Sequence, residues 1–297
     1  MKTTLIIGAT GVLGSEVVRR LRARGESVRA LVRSTSAPGK VQALRDAGAE
    51  TVHGDLKVPQ TLATAMHGVT HVISTASATL SAQEGDDILT VDRDGQRNAI
   101  AAAHAAGVQQ FVLVSFPETS IPFPLQDAKR EVEMTLMSSG LPYTVLRPTH
   151  FWEVWCSPPL GFDARAHEAR IFGSGNAPMN WISFFDVAEA CVLALDNPRA
   201  LNCVLQMGGP EPLTQLDLVR AFEAAGGQPF SRDHVPIQIL RNQHEQTHHL
   251  LEKSFAALML IIDSGEWVFD SSAACEALGL QTSRVARFAE SVYSRPS

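Results

Sequence analysis

Basic clusters, long apolar stretches and paired cysteines are missing from this 297-residue chain, and each absence removes a class of function. The formal net charge is −6 and no long Lys/Arg run occurs, so there is no footprint for a phosphate backbone and nucleic acid is excluded as a partner. No stretch approaches the roughly 18 apolar residues of a membrane span, and the first residues read as a strand rather than a basic segment with an apolar secretory run. A cytoplasmic protein with no membrane partner is expected. The four cysteines, Cys156, Cys191, Cys203 and Cys275, lie far apart with no Cys-x-x-Cys pair. That spacing fits buried reduced thiols rather than a disulfide frame or a zinc site. What is present is the balance of a globular protein with a large core, 45% apolar against 19% charged residues.

The apolar run Leu5-Ile6-Ile7 turns into Gly8-Ala9-Thr10-Gly11-Val12-Leu13-Gly14 and continues as an amphipathic segment through Leu21. Strand, glycine turn and helix in that order read as a dinucleotide site. Gly8 permits the tight turn, Gly11 lets the backbone approach a pyrophosphate, Gly14 lets the helix pack on the strand, and free N–H groups at the helix start face the phosphates.

Short β-branched runs alternate with helical periodicity through the first half, the pattern of a doubly wound α/β fold with a parallel sheet. Expected strands are 3–7, 27–32, 50–52, 71–74, 110–114 and 143–146; expected helices are 12–24, 40–47, 59–66, 92–106 and 127–139. Gly25, Gly48, Gly68, Gly107 and Gly140 close them. A Rossmann domain over 1–151, completed by a helix near Asp186 and a strand at 203–207 (183–207 together), is expected. Segments 152–182 and 208–297 would form a smaller α-rich substrate lobe, with an N-cap at Thr214.

NAD-preferring sites carry a carboxylate about 20 residues past the glycine loop. Here the second strand ends in Leu31-Val32-Arg33-Ser34-Thr35-Ser36. Arg33 suits a 2′-phosphate, with the hydroxyl residues as further donors, which favours NADP (NADPH). The plain alternative is a solvated arginine at a strand end.

These motifs, with Gly54-Asp55-Leu56, Lys129, Ser139-Gly140-Leu141-Pro142-Tyr143-Thr144-Val145-Leu146-Arg147-Pro148 and Trp181-Ile182-Ser183-Phe184-Phe185-Asp186, resemble the atypical short-chain dehydrogenase/reductase branch of NmrA-like and isoflavone-reductase-like proteins. The resemblance implies that Asp55 and Leu56 border the adenine, Thr75 and Ala76 the middle of the cofactor, and Pro148 to Phe151 its nicotinamide end. Asp55 as a turn cap and Pro148 as a strand end are the plain alternatives.

Most of that superfamily uses Tyr-x-x-x-Lys, but the residue four before Lys129 is Leu125, and the two tyrosines are Tyr143, inside an expected strand, and Tyr293. The usual tyrosine acid is absent. Lys129 is the candidate to hold the nicotinamide ribose or to act as the acid, with His150 a candidate proton donor and Ser115 a candidate substrate-orienting hydroxyl. A solvated lysine, a packing histidine and a backbone-bonded serine are the alternatives. Phe151, Trp152 and Trp155, with Phe162, Phe172 and Trp181, are candidates for an apolar wall around a flat substrate, or plain core. His244-Glu245-Gln246-Thr247-His248 matches H-E-x-x-H, a zinc-hydrolase pattern on a helix, but lacks a compelling third ligand. It reads better as part of an amphipathic helix, and no metal is expected. The expectation is an NADPH-dependent reductase of a small apolar acceptor such as a quinone, enone or other conjugated carbonyl. The alternative is a non-catalytic NADP-binding regulator with a protein partner. A homodimer stays open.

Overall fold

The computed structural model describes residues 2–79, 81 and 83–294. Its strands are β1 (Thr3–Ile7), β2 (Ser27–Val32), β3 (Glu50–His53), β4 (His71–Ser74), β5 (Gln110–Val114), β6 (Tyr143–Pro148), β7 (Phe162–Asp163), β8 (Glu168–Phe172), β9 (Cys203–Met207) and β10 (Ser231–Val235). The α-helices are α1 (Val12–Ala23), α2 (Pro38–Asp46), α3 (Pro59–Ala65), α4 (Gln96–Ala105), α5 (Pro124–Ser138), α6 (Trp152–Trp155), α7 (Phe184–Leu193), α8 (Gln215–Gly226), α9 (Ile237–Gln246), α10 (Leu250–Ile262), α11 (Ser272–Leu278) and α12 (Val285–Tyr293).

Seven strands form one all-parallel sheet in the order β3-β2-β1-β4-β5-β6-β9. Successive strand residues point to opposite faces. Ile6 therefore joins Val17, Val18, Leu21 and Val187 under α1 and α7, while Leu5 and Ile7 join Leu62, Ile100, Val132 and Leu136 under α3, α4 and α5. The doubly wound fold expected from the alternation is the fold observed. Helices α2 and α5 begin earlier than periodicity indicates because Pro38 and Pro124 occupy their first turns, where a missing N–H costs nothing. The helix expected from Asp92 starts at Ile88 with a π-type segment, Ile88–Gly95, opened by a reciprocal Asp87–Thr90 capping box.

A second core gathers Trp152, Phe172, Met179, Trp181, Leu240, Ile261 and Trp267 with Ile88, Phe123 and Leu125 from the first half of the chain. A three-stranded sheet, β10-β8-β7, lies beyond it, packed through Phe162 and Ile171 on Phe222 and Phe230. These three strands lie where no strand is expected from the sequence. The stretch from α11 to Leu280 does not join this lobe: Ala274, Leu278 and Leu280 pack into the α1/α7 core. The long helix expected around the His-Glu motif is two helices, since Thr247 is extended.

Candidate active site

Strand order reverses between β1 and β4, so the connections leaving these neighbours diverge and open a crevice at their carboxyl ends. The glycine turn fills that crevice. Gly8 has φ +82°, and a Cβ there would lie 2.7 Å from Thr75 Oγ1; a Cβ at Gly14 would collide with the Gly8 carbonyl oxygen. Only Gly11 has room on its open side, and Val12 beside it is 53% exposed. Helix α1 starts at Gly11 with no side-chain cap and no acidic residue in its first turn. Its N–H groups are thus left for an anion. Thr10 and Leu13 complete this turn, Leu13 with its side chain in the core. A turn that a Cβ at Gly8 or Gly14 would spoil, and that leaves more room at Gly11, fits a pyrophosphate.

Ser34 and Arg33 follow β2, and Lys57 follows β3. Arg33 and Lys57 converge on one carboxylate, Asp86: Arg33 Nη1 and Ser81 Oγ donate to it, and Lys57 Nζ lies 2.6 Å from its Oδ1. Burial alone would raise this carboxyl, but the bonds from Lys57, Ser81 and Arg33 outweigh it and hold it at about 2. Asp55 accepts the Lys57 backbone N–H at 2.9 Å, which makes it a turn cap, and Leu56 is buried in the core. Two cations beside the glycine turn fit a 2′-phosphate.

Beyond β4, Thr75 donates both its N–H and its Oγ1 to the Ile7 carbonyl. The Ala76 carbonyl accepts Gln96 Nε2 at 3.0 Å, and the Ala78 N–H donates to Asp92 Oδ2 at 2.9 Å. Asp92 sits in the π-type segment, fully buried, with its Oδ1 3.3 Å from Lys129 Nζ. Lys129 is itself 5% exposed, so it is not a solvated surface lysine. Segments of π-helix recur at functional sites. Asp92, Asp86, Lys57 and Gln96 are not evident from sequence reasoning, because each acquires its partner across the fold. The Asp87-x-x-Thr90 cap was the available signal for where that helix starts.

The other candidates separate. Four residues before Lys129, Leu125 is buried in the second core, its N–H on Ser254 Oγ. Ser115 Oγ accepts from Arg130 Nη2 at 2.9 Å, beside a Glu133 carboxylate shared by Arg130 and Arg147. His150 stands among Trp155, Trp181 and Trp267, with ring centroids 4.5, 5.9 and 4.9 Å away, and its Nε2 faces the Leu258 carbonyl at 3.0 Å. Burial pushes its pKa down to about 4, against the opposing effect of that hydrogen bond. It is neutral near pH 7 with Nε2 engaged by that carbonyl, an environment that matches the packing alternative. Pro148 ends β6, and Phe151 bridges to Ile182 and keeps partial exposure. Trp152, Phe162, Phe172 and Trp181 are core residues, so the apolar wall expected from them reduces to Phe151 and Trp155. In the His-Glu motif, His244 bonds the Pro122 carbonyl, the helix ends before His248, and the described residues hold no group of three side chains suited to a metal. The described residues also include no helix long and apolar enough to cross a membrane.

A family profile described as NmrA-like matches residues 1–283. The chain is similar to the photosystem II assembly factor Ycf39 of Trieres chinensis, 31% identical over 80% of this chain and 73% of that protein. It is 30% identical to the NAD(P)H azoreductase of Xenophilus azovorans over 76% of this chain and 74% of that one. Among solved structures, the NADPH-dependent quinone oxidoreductase of Escherichia coli, complexed with NADPH, superposes with a TM-score of 0.78 at 22% identity, covering 98% of this chain and all of that one.

Proposed function

The chain belongs to the NmrA-like family, and we propose that it is an NADPH-dependent oxidoreductase acting on a small apolar acceptor that is already electrophilic, a quinone, enone or other conjugated carbonyl. The observation that carries this reading is the pairing of a glycine cradle and two nearby cations with a buried Lys129 that Asp92 holds in place. In this reading 1–151 with 183–207 bind the nucleotide, 152–182 with most of 208–297 shape the acceptor site, and the stretch from α11 to Leu280 buttresses α1 and α7.

Bound to the cradle, NADPH supplies a hydride. The chain supplies the rest. The turn from Gly8 to Gly14 binds the pyrophosphate through N–H groups, and Arg33, with Ser34 beside it, and Lys57 bind the 2′-phosphate. Thr75, Ala76, Pro148 and Phe151 form the walls, with the Asp55 turn cap and the core side chain of Leu56 supporting the loop that carries Lys57. Lys129 holds a ribose hydroxyl or gives its ammonium proton to the acceptor oxygen. A quinone or conjugated carbonyl suits this site because its reduced form is a stabilised anion, so a weak acid suffices where the phenol is missing. No step passes through His150. The likeness to an NAD(P)H azoreductase supports an acceptor of this electron-poor kind.

The missing phenol and the likeness to an assembly factor favour a second reading, a non-catalytic NADP-binding regulator with a protein partner. NADPH oxidation measured with a panel of quinones, azo dyes and aldehydes separates the two. Turnover that Lys129→Ala abolishes, with NADPH still bound, supports the enzyme. Tight NADPH binding with no turnover on any acceptor sinks it.

A further inference from the structure

The cations placed for a 2′-phosphate are already engaged. Arg33, one residue past β2, and Lys57, four residues past β3, come from neighbouring strands, β2 being the strand beside β1, from which the glycine turn leaves. Both grip the carboxylate of Asp86, which Ser81 Oγ also reaches. The Asp86 side chain is 1% exposed, while Arg33 and Lys57 keep 30% and 27% exposure and so remain approachable. The contact is reinforced: Thr35 and Gln83 bond side chain to side chain, and Gln83 Nε2 donates to the Thr35 carbonyl at 3.2 Å.

We propose that Asp86 is an internal competitor for the 2′-phosphate of NADPH, a carboxylate of the chain seated on the cations that select that phosphate. The proposal rests on the NADPH reading above. A phosphate oxygen and an Asp86 oxygen cannot accept the same N–H bonds of Arg33 and Lys57 at once. Binding NADPH therefore exchanges one anion for another. The exchange favours the phosphate, which carries nearly twice the charge and three acceptor oxygens. It returns less than two free cations would. NADH has a neutral 2′-hydroxyl that does not claim the guanidinium, and a seated carboxylate can accept a hydrogen bond from it. Asp86 thus narrows the preference for NADPH that Arg33 creates, and sets its size.

The test is dinucleotide binding to the protein without an acceptor, by calorimetry. Asp86→Asn keeps the shape and removes the competing charge. It should tighten NADPH about tenfold and move NADH by no more than about threefold, in keeping with the worth of a charge-assisted pair. In an Arg33→Gln background the gain from Asp86→Asn should shrink to about twofold or less, because the competition runs through Arg33. Ser81→Ala, which removes one donor to Asp86 and leaves both cations, should tighten NADPH about twofold and guards against a poorly folded Asp86 variant. NADPH affinity unchanged or weakened in both Asp86→Asn and Ser81→Ala overturns the proposal, as does an equal gain for NADH. A wild-type protein that binds no NADPH overturns the cofactor reading and this inference with it; normal wild-type binding without the variant gains overturns this inference alone.

Discussion

Acidifying the protein from about pH 7 to about pH 5 should remove about 2 kcal/mol of stability through His150, and a His150→Gln variant should be spared that loss. Burial among three tryptophans takes the folded imidazole from 6.5 to about 4. The folded pKa lies below the unfolded one, so between the two the unfolded chain binds the proton and the folded chain does not. The stability is therefore fully present above the unfolded value and is lost as pH falls toward the folded one. At about pH 5 the unfolded side chain is about 1.5 units below its own pKa, and at about 1.4 kcal/mol per unit the loss comes to about 2 kcal/mol. Glu153 and Asp186, whose carboxyls burial pushes up, act in the opposite direction, but equally in both proteins, and cancel in the difference. Glutamine retains an amide N–H for the Leu258 carbonyl. The assay is urea unfolding of wild type and variant at both pH values, with acceptor turnover followed in parallel. A stability gap that does not change with pH would mean a solvated imidazole. A lost limb in the pH–rate profile of the variant would restore His150 as a proton donor.

Gly14→Ala should weaken NADPH binding at least about tenfold and lower the melting temperature, since its methyl meets the Gly8 carbonyl and Thr75 Oγ1 and must push the turn open; unchanged affinity would show that the turn does not hold the pyrophosphate. Leu125→Tyr, which rebuilds the Tyr-x-x-x-Lys spacing, should cost about 1–3 kcal/mol by overpacking the second core and add no activity. A stable, faster Leu125→Tyr enzyme refutes this placement of Leu125. Chelation with EDTA and His248→Ala should each leave turnover unchanged and stability within about 0.5 kcal/mol; loss of activity to the chelator would revive the metal reading.

What was legible from sequence was local. Leu5, Ile6 and Ile7 reveal their strand through alternation between two buried faces, and Gly8, Gly11 and Gly14 reveal their turn because each position excludes a Cβ or leaves room for a ligand. Arg33 was legible as a cation at the end of β2. The strands β7, β8 and β10 were not, since two residues of β7 carry no periodicity and β10 is exposed at four of its five positions and mostly polar.

The sequence by itself determined the parallel fold, the glycine turn that opens α1, and the lack of a phenol four residues before Lys129. Each follows from residues within one or two turns of each other, whose spacing limits what the backbone can do. Tertiary structure alone decided what surrounds those residues. Leu258 lies 108 positions from His150 and fixes its proton, Asp86 lies 53 positions from Arg33 and occupies its guanidinium, and Asp92 meets Lys129 only because the π-type segment packs on α5. A side chain's charge state and availability depend on burial and on its partners across space, and spacing along the chain carries neither.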